Sequence, residues 1–165
     1  MSATAGAAYI NGINMLDDPI AAKKCIGFLP EQPPVYPEMT VMEYMNFVYD
    51  LKSCELDREA HIAEILSVVR LTDVKNRLIK NLSKGYKQRV GIAQALIGNP
   101  PLLIFDEPTA VLTPQEINEL MEIMRGLAKE GKSILFISHK LAEIMEVADR
   151  CSVLRKGKYI GTVDV

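Results

Sequence analysis

Leu102-Leu103-Ile104-Phe105-Asp106-Glu107 sets four apolar residues directly against two carboxylates. An unbroken apolar run of that kind is expected of a strand buried on both faces of a parallel sheet. Unpaired buried charge is costly. The two carboxylates therefore belong just past the strand's carboxyl end, where α/β sheets meet their ligands. Two readings of the dipeptide stand together. In one, Asp106 holds Mg²⁺ through water and Glu107 orients an attacking water. In the other, the pair is an exposed acidic turn with Pro108 as its breaker.

Downstream, Thr113-Pro114-Gln115-Glu116 has capping-box spacing with Pro at the first helical position. Ile117, Leu120, Met121 and Met124 give the helix behind it an apolar face. Residues 133–137 read as a second buried strand, and His139 follows directly. A histidine there could reach the same ligand as the acidic pair, or it could be an ordinary packing or surface residue. A short helix over 141–147 and two strands around 151–154 and 158–163 close the chain. Alternating strand and helix implies parallel pairing in an α/β layer.

Upstream, Asn81-Leu82-Ser83-Lys84-Gly85-Tyr86-Lys87-Gln88-Arg89 opens a helix that Asn99-Pro100-Pro101 stops. Ser83 is a natural N-cap, and Gly85 permits close backbone approach. The free amides and dipole of that helix end suit a phosphate. An ordinary capped helix is the alternative. Two more helices precede it. One begins at the capping box Thr40-Val41-Met42-Glu43; the other, over 57–70, carries the stripe Ile62, Ile65, Leu66, Val69. His61, between Glu59 and Glu64, reads as a solvated surface residue. Pro30, Pro33, Pro34 and Pro37 make a stiff extended loop. Before it come a short strand over 25–29, a helical turn after Pro19, and a strand over 6–12 ending in the turn Asn11-Gly12.

Composition narrows the classes. With 165 residues, 48% hydrophobic and 24% charged, the chain has the make-up of a folded domain. Nineteen basic against 21 acidic residues leave a net charge of −2, so no basic field invites nucleic acid or an anionic membrane. No apolar run approaches the roughly 18–20 residues a membrane helix needs. The uncharged first eight residues do not read as a secretory signal. Three scattered cysteines (Cys25, Cys54, Cys151) read as reduced cytosolic thiols.

Gly126-Leu127-Ala128-Lys129-Glu130-Gly131-Lys132-Ser133 satisfies the phosphate-loop pattern G-x-x-x-x-G-K-[ST]. That loop needs strand, loop, helix, so that a helix N-terminus faces the phosphates. The order expected here is helix, loop, strand. Gly131 is therefore read as ending a helix, and the match is rejected.

Taken in order, these pieces resemble the ATPase subunit of ATP-binding-cassette (ABC) transporters. Leu82-Ser83-Lys84-Gly85-Tyr86 with Gln88-Arg89 resembles the family's signature motif. Lys84 stands at its first glycine position and Tyr86 at its glutamine position. Residues 102–107 are similar to Walker B with its catalytic glutamate, and Ala110-Val111-Leu112-Thr113 to the D-loop, with Thr113 in place of the usual Asp. His139 falls on the switch histidine. The proline-rich loop falls on the Q-loop, where Glu31 takes the glutamine's position and Gln32 comes one residue late. Residues up to about 107 resemble exporter-class ATPases, and those from about 108 resemble importers of simple sugars or nucleosides. Recombination or truncation near residues 108–110 and ordinary divergence both account for that.

The resemblance implies an α/β P-loop NTPase (RecA-like) core, incomplete at its N-terminus, with an inserted α-helical signature subdomain. Residues 1–32 and 98–165 would form the core, and 33–97 the Q-loop and helical subdomain. Residues 1–12 resemble the segment just downstream of the Walker A helix, so the chain is expected to start after Walker A and to lack the lysine and amide nest that cradle phosphates. The implied function is MgATP binding and hydrolysis coupled to transport, with ATP and Mg²⁺ as cofactors. Ser83, Lys84 and Gly85, with Glu31 or Gln32, would contact nucleotide; Asp106 would hold the metal; Glu107 and His139 would be catalytic. The implied partners are a membrane-spanning transporter subunit and a second ABC ATPase subunit stacked head to tail, with no nucleic acid. The expected location is the cytoplasmic, inner face of the cell membrane. A non-hydrolysing docking or half-site partner is the alternative. Soluble ABC ATPases of DNA repair or translation usually carry coiled-coil insertions or basic arms, which this sequence does not show.

Overall fold

The computed structural model describes residues 6–165. The expected role of the first twelve residues therefore falls partly outside the described residues. A small hairpin leads, β1 (Tyr9–Ile10) with β2 (Ile13–Asn14). Its two turn residues, Asn11 and Gly12, both take positive φ (48° and 79°), the backbone that matches a hairpin's twist. Asp18 caps α1 (Pro19–Lys24), and β3 (Ile26–Leu29) follows. Beyond the proline loop come α2 (Val41–Leu51), α3 (Arg58–Val68), two short 3₁₀ turns (Thr72–Val74 and Ile79–Asn81) and α4 (Lys84–Leu96). Then β4 (Leu102–Asp106), α5 (Pro114–Lys129), β5 (Ser133–Ile137) and α6 (Leu141–Val147) alternate. β6 (Arg150–Arg155) and β7 (Lys158–Asp164) end the chain as a separate antiparallel pair.

Both capping boxes form. The Glu43 amide donates to Thr40 Oγ1 at 3.2 Å, and the Thr40 amide donates to Glu43 Oε2 at 2.7 Å. The Thr113–Glu116 box starts α5 in the same way. At the far end of α5, Gly131 (φ +89°) donates to the Ala128 carbonyl and Lys132 to that of Leu127, the paired bonds of a Schellman turn. Gly126–Ser133 thus runs helix, loop, strand, and its amides serve a helix C-terminus.

β3, β4 and β5 form one parallel sheet in that order, in the register Phe28–Ile104–Leu135 and Leu29–Phe105–Phe136. This register separates two faces. Leu29, Leu103 and Phe105 are fully buried, packed in one cluster with Ile92 and Leu96 of α4 and Leu120, Met121, Met124 and Leu127 of α5. On the other face Phe28, Leu135 and Ile137 are 49%, 55% and 44% exposed, and Ile104 is half-buried. The expectation that β4 and β5 are buried on both faces is therefore corrected. Alternate residues of a strand point to opposite faces, and the buried cluster shared with α4 and α5 lies on one of them.

The cluster extends through α2 and α3, whose Tyr44, Met45, Ile62 and Leu66 are buried. Lys52, just past α2, donates to the carbonyls of Gln94 (2.8 Å) and Ile97 (3.0 Å), closing the end of α4. Burial there lowers its pKa to about 8.

His61 also departs from expectation. It is only 9% exposed, and its Nε2 accepts the Gly98 amide at 3.1 Å, tying α3 to the turn after α4. Burial lowers its pKa below the ordinary 6.5. The folded chain thus resists a proton that the unfolded chain accepts below about pH 6.5. Stability from this site is full above that pH and lost as pH falls through it. His61→Gln keeps an acceptor but cannot titrate. Its melting temperature should fall less than that of the unaltered chain between about pH 7 and pH 5. Parallel curves for the two proteins would show that His61 does not supply the acid sensitivity.

Candidate functional site

Strand β4 delivers the acidic pair. Asp106 is its last residue and lies in register with Ile137 of β5. Its half-buried carboxylate makes no hydrogen bond to the described residues. Glu107 turns the chain. Its amide still donates to the Ile137 carbonyl at 3.0 Å, but its φ of +44° is left-handed. Such a backbone is uncommon outside glycine and costs about 1–3 kcal/mol where it is held, often at functional sites. The turn aims the carboxylate back across the sheet's end. Glu107 Oε1 lies 2.9 Å from His139 Nδ1, while Oε2 is buried without a partner.

His139 arrives from the neighbouring strand. β4 and β5 are parallel, so their carboxyl ends meet, and His139 stands two residues past Ile137. Its side chain is 73% exposed, against 21% for Glu107. Glu31 and Gln32 leave the sheet at the same end, two and three residues past Leu29, which lies in register with Phe105. Both are exposed, and neither bonds to Asp106, Glu107 or His139. Among the described residues no cluster of three or more His, Cys, Asp or Glu is set to hold a metal by itself. A metal here would need water or phosphate oxygens as further ligands. The free Asp106 carboxylate and the orphaned Glu107 oxygen fit that arrangement.

The second group lies at the start of α4. Ser83 caps the helix, its Oγ accepting the Tyr86 amide at 3.3 Å. The amides expected to be free for phosphate have a carboxylate of this chain as neighbour. Glu116 Oε1 accepts from Ser83 Oγ at 3.4 Å and sits so close to Gly85 that a Cβ there would lie 2.2 Å from it. Glu116 Oε2 meanwhile accepts from the Thr113 amide at 3.0 Å. The Thr113 amide, ahead of the Thr113 and Ser83 hydroxyls, holds the Glu116 pKa below the usual carboxylate range. One carboxylate therefore bridges the starts of α4 and α5. Beside it Arg89 pairs with Glu119 and lies over the Tyr86 ring, at the edge of a cavity of about 310 Å³. Lys84 is exposed and forms no ion pair with the described residues. No hydrogen bond joins Ser83, Lys84 or Gly85 to Asp106, Glu107 or His139 among the described residues. A larger cavity of about 510 Å³, near Ile20, Lys52 and Cys54, lies away from both groups.

A third set of residues gave no sequence signal. Thr109, Ser138, Lys140 and Glu143 form a polar cluster from the residues that follow Glu107 and flank His139, with Thr109 and Glu143 buried. Thr109 lies in the turn after β4 and Glu143 in the first turn of α6. Only the folded chain brings them together.

Comparison with known proteins gives a consistent result. The protein-family model described as "ABC transporter" matches residues 1–110. The nucleoside import ATP-binding protein NupA of Lactococcus lactis subsp. cremoris (strain MG1363) is 42% identical over 166 residues, 97% of this chain and 33% of that protein. The bacitracin transport ATP-binding protein BcrA of Bacillus licheniformis is 35% identical over 158 residues, 95% of this chain and 51% of that protein. The chain thus spans about a third to a half of the length of these curated relatives. Among solved structures, the dimeric ATP-binding cassette MJ0796 in a post-hydrolysis state, bound to ADP and Pi, superposes with a TM-score of 0.82 at 27% identity. That likeness covers 98% of this chain and 74% of the other.

Proposed function

The chain belongs to the ABC transporter ATP-binding family, with its α/β P-loop NTPase fold, and from that premise we propose that it couples MgATP binding and hydrolysis to transport. The observation that carries this reading is the pairing at the end of β4 and β5. An unpaired Asp106 carboxylate stands beside a Glu107 whose one oxygen faces His139 and whose other is buried without a partner. A buried polar atom left unsatisfied calls for a partner, and the attacking water of a hydrolase supplies one.

In this proposal Asp106 would hold Mg²⁺ through water, and the ion would supply positive charge against the nucleotide phosphates. Glu107 accepts a proton from the attacking water through Oε2. His139 fixes Glu107 through Nδ1 and presents its exposed edge to the γ-phosphate. Glu31 or Gln32, on the adjoining loop, would add a further oxygen ligand. Ser83, Lys84 and Gly85 contact a nucleotide held by a second ABC ATPase subunit, since they stand apart from Glu107 within one chain. The phosphate cradle comes from a phosphate loop supplied in cis or in trans, because Gly126–Ser133 is a helix end. Residues 1–32 and 98–165 act as the core and 33–97 as the subdomain. That subdomain faces a membrane-spanning subunit on the cytoplasmic side. No helix among the described residues is long and apolar enough to cross a membrane.

A second reading, a non-hydrolysing half-site partner, is favoured by one feature. The signature residues are presented independently of the acidic pair. Titration calorimetry with MgATP separates the two. Saturable binding that Asp106→Ala weakens about tenfold or more, roughly 1.4 kcal/mol, supports the first. A folded chain that takes up no MgATP leaves the second.

A further inference from the structure

We propose that Glu143 is a positioning residue whose single buried carboxylate ties the turn after Glu107 to the loop that carries His139. The inference rests on the reading of Glu107 and His139 as a working pair. His139 is the more exposed member, so packing does not fix it. Its two neighbours do. Ser138 Oγ donates to Glu143 Oε2 at 3.3 Å, and Lys140 Nζ lies 3.1 Å from Glu143 Oε1. The Lys140 amide in turn donates to Ser138 Oγ at 3.1 Å. The imidazole is thus carried between two anchored residues.

The other strand end reaches the same carboxylate. Thr109, two residues past Glu107, is fully buried, and its Oγ1 donates to Glu143 Oε2 at 2.6 Å. Lys140 Nζ also donates to the Thr109 carbonyl at 3.2 Å. Both oxygens of Glu143 are therefore occupied by donors from two loops. An acidic residue in the first turn of a helix ordinarily needs only solvent and the helix dipole. Glu143 instead is 7% exposed. A charge buried that far demands close partners, and those it has chosen flank Glu107 and His139.

The arrangement has a spectroscopic consequence. An ionised Glu107 can only accept, so a neutral His139 facing it through Nδ1 carries its proton there and leaves Nε2 bare. A released imidazole in water prefers the opposite tautomer. The chain has two histidines. His61 is buried and offers Nε2 to Gly98, which makes it an internal monitor of the fold.

The test is long-range ¹H–¹⁵N imidazole spectroscopy of the full chain at a pH where imidazoles are neutral. Glu107→Ala should move His139 toward the Nε2–H form. Glu143→Ala should do the same while His61 stays in place. If Glu143→Ala also disturbs His61, the fold has suffered, and Thr109→Val decides instead. It removes one hydroxyl at nearly constant shape, and it should shift His139 in the same direction. A His139 signal that moves with Glu107→Ala but holds its position in folded Glu143→Ala and Thr109→Val overturns the role of Glu143 alone. A signal that Glu107→Ala leaves unmoved overturns the pair itself, and this proposal with it.

Discussion

Glu107→Gln is expected to slow ATP turnover at least about a hundredfold in a chain carrying a phosphate loop upstream, the lower end of what a positioned base contributes. The reason is geometric. Glutamine fits the left-handed turn and can still meet His139, but its amide cannot take a proton from water. MgATP binding should therefore survive while phosphate release stops. Measuring both on the same preparation separates a lost base from a lost fold. Undiminished turnover in a variant that binds normally would remove Glu107 from the base role. His139 would then need another explanation for its contact with that carboxylate.

Gly27→Ala should be strongly destabilising, because the added methyl group meets backbone. A Cβ on Gly27 would lie 2.3 Å from the Ala95 carbonyl oxygen and 2.6 Å from Leu103 Cδ2. The first obstacle is backbone of α4, the helix that also carries Ser83 and Gly85 at its other end. It cannot yield unless the helix lifts from β3. The expected cost is about 3 kcal/mol, the upper part of the usual overpacking range, against a total of roughly 5–15 kcal/mol for a domain. Gly91→Ala gives the contrast. Its nearest obstacles are Leu29 Cδ1 at 2.5 Å and Pro33 Cβ at 2.8 Å, both side-chain atoms. Urea unfolding of the two variants should rank Gly27→Ala well below Gly91→Ala. Equal midpoints would mean that α4 rides on the sheet less rigidly than these distances require.

Much of this architecture was legible because its signals are local. Thr40 with Glu43 and Thr113 with Glu116 announce helix starts within four residues, and both boxes form. Gly131 marks a helix end by its position alone. The run 102–107 places two carboxylates at a strand end, and parallel pairing brings His139 to the same edge. What escaped depends on distant partners. His61 looks solvated beside Glu59 and Glu64 until Gly98, 37 residues away, supplies its donor. Glu116 reads as a cap, and nothing nearby says that Ser83 shares its other oxygen. Glu143 finds Thr109 across 34 residues. An apolar run likewise shows that a strand is hydrophobic on both sides, without saying which side the helices cover.

That last asymmetry bears on how the protein is handled in solution. Phe28, Ile104 and Leu135 line up across three strands on the less covered face, a continuous apolar stripe rather than scattered residues. Fluorescent dyes that brighten on apolar surface are commonly read as reporting a loosened, partly folded state. Here the described residues offer them a platform while their core is packed. Dye fluorescence at neutral pH would therefore report sheet geometry. Loosening of the core would have to be judged from the near-ultraviolet circular dichroism of buried residues such as Tyr44 and Phe105.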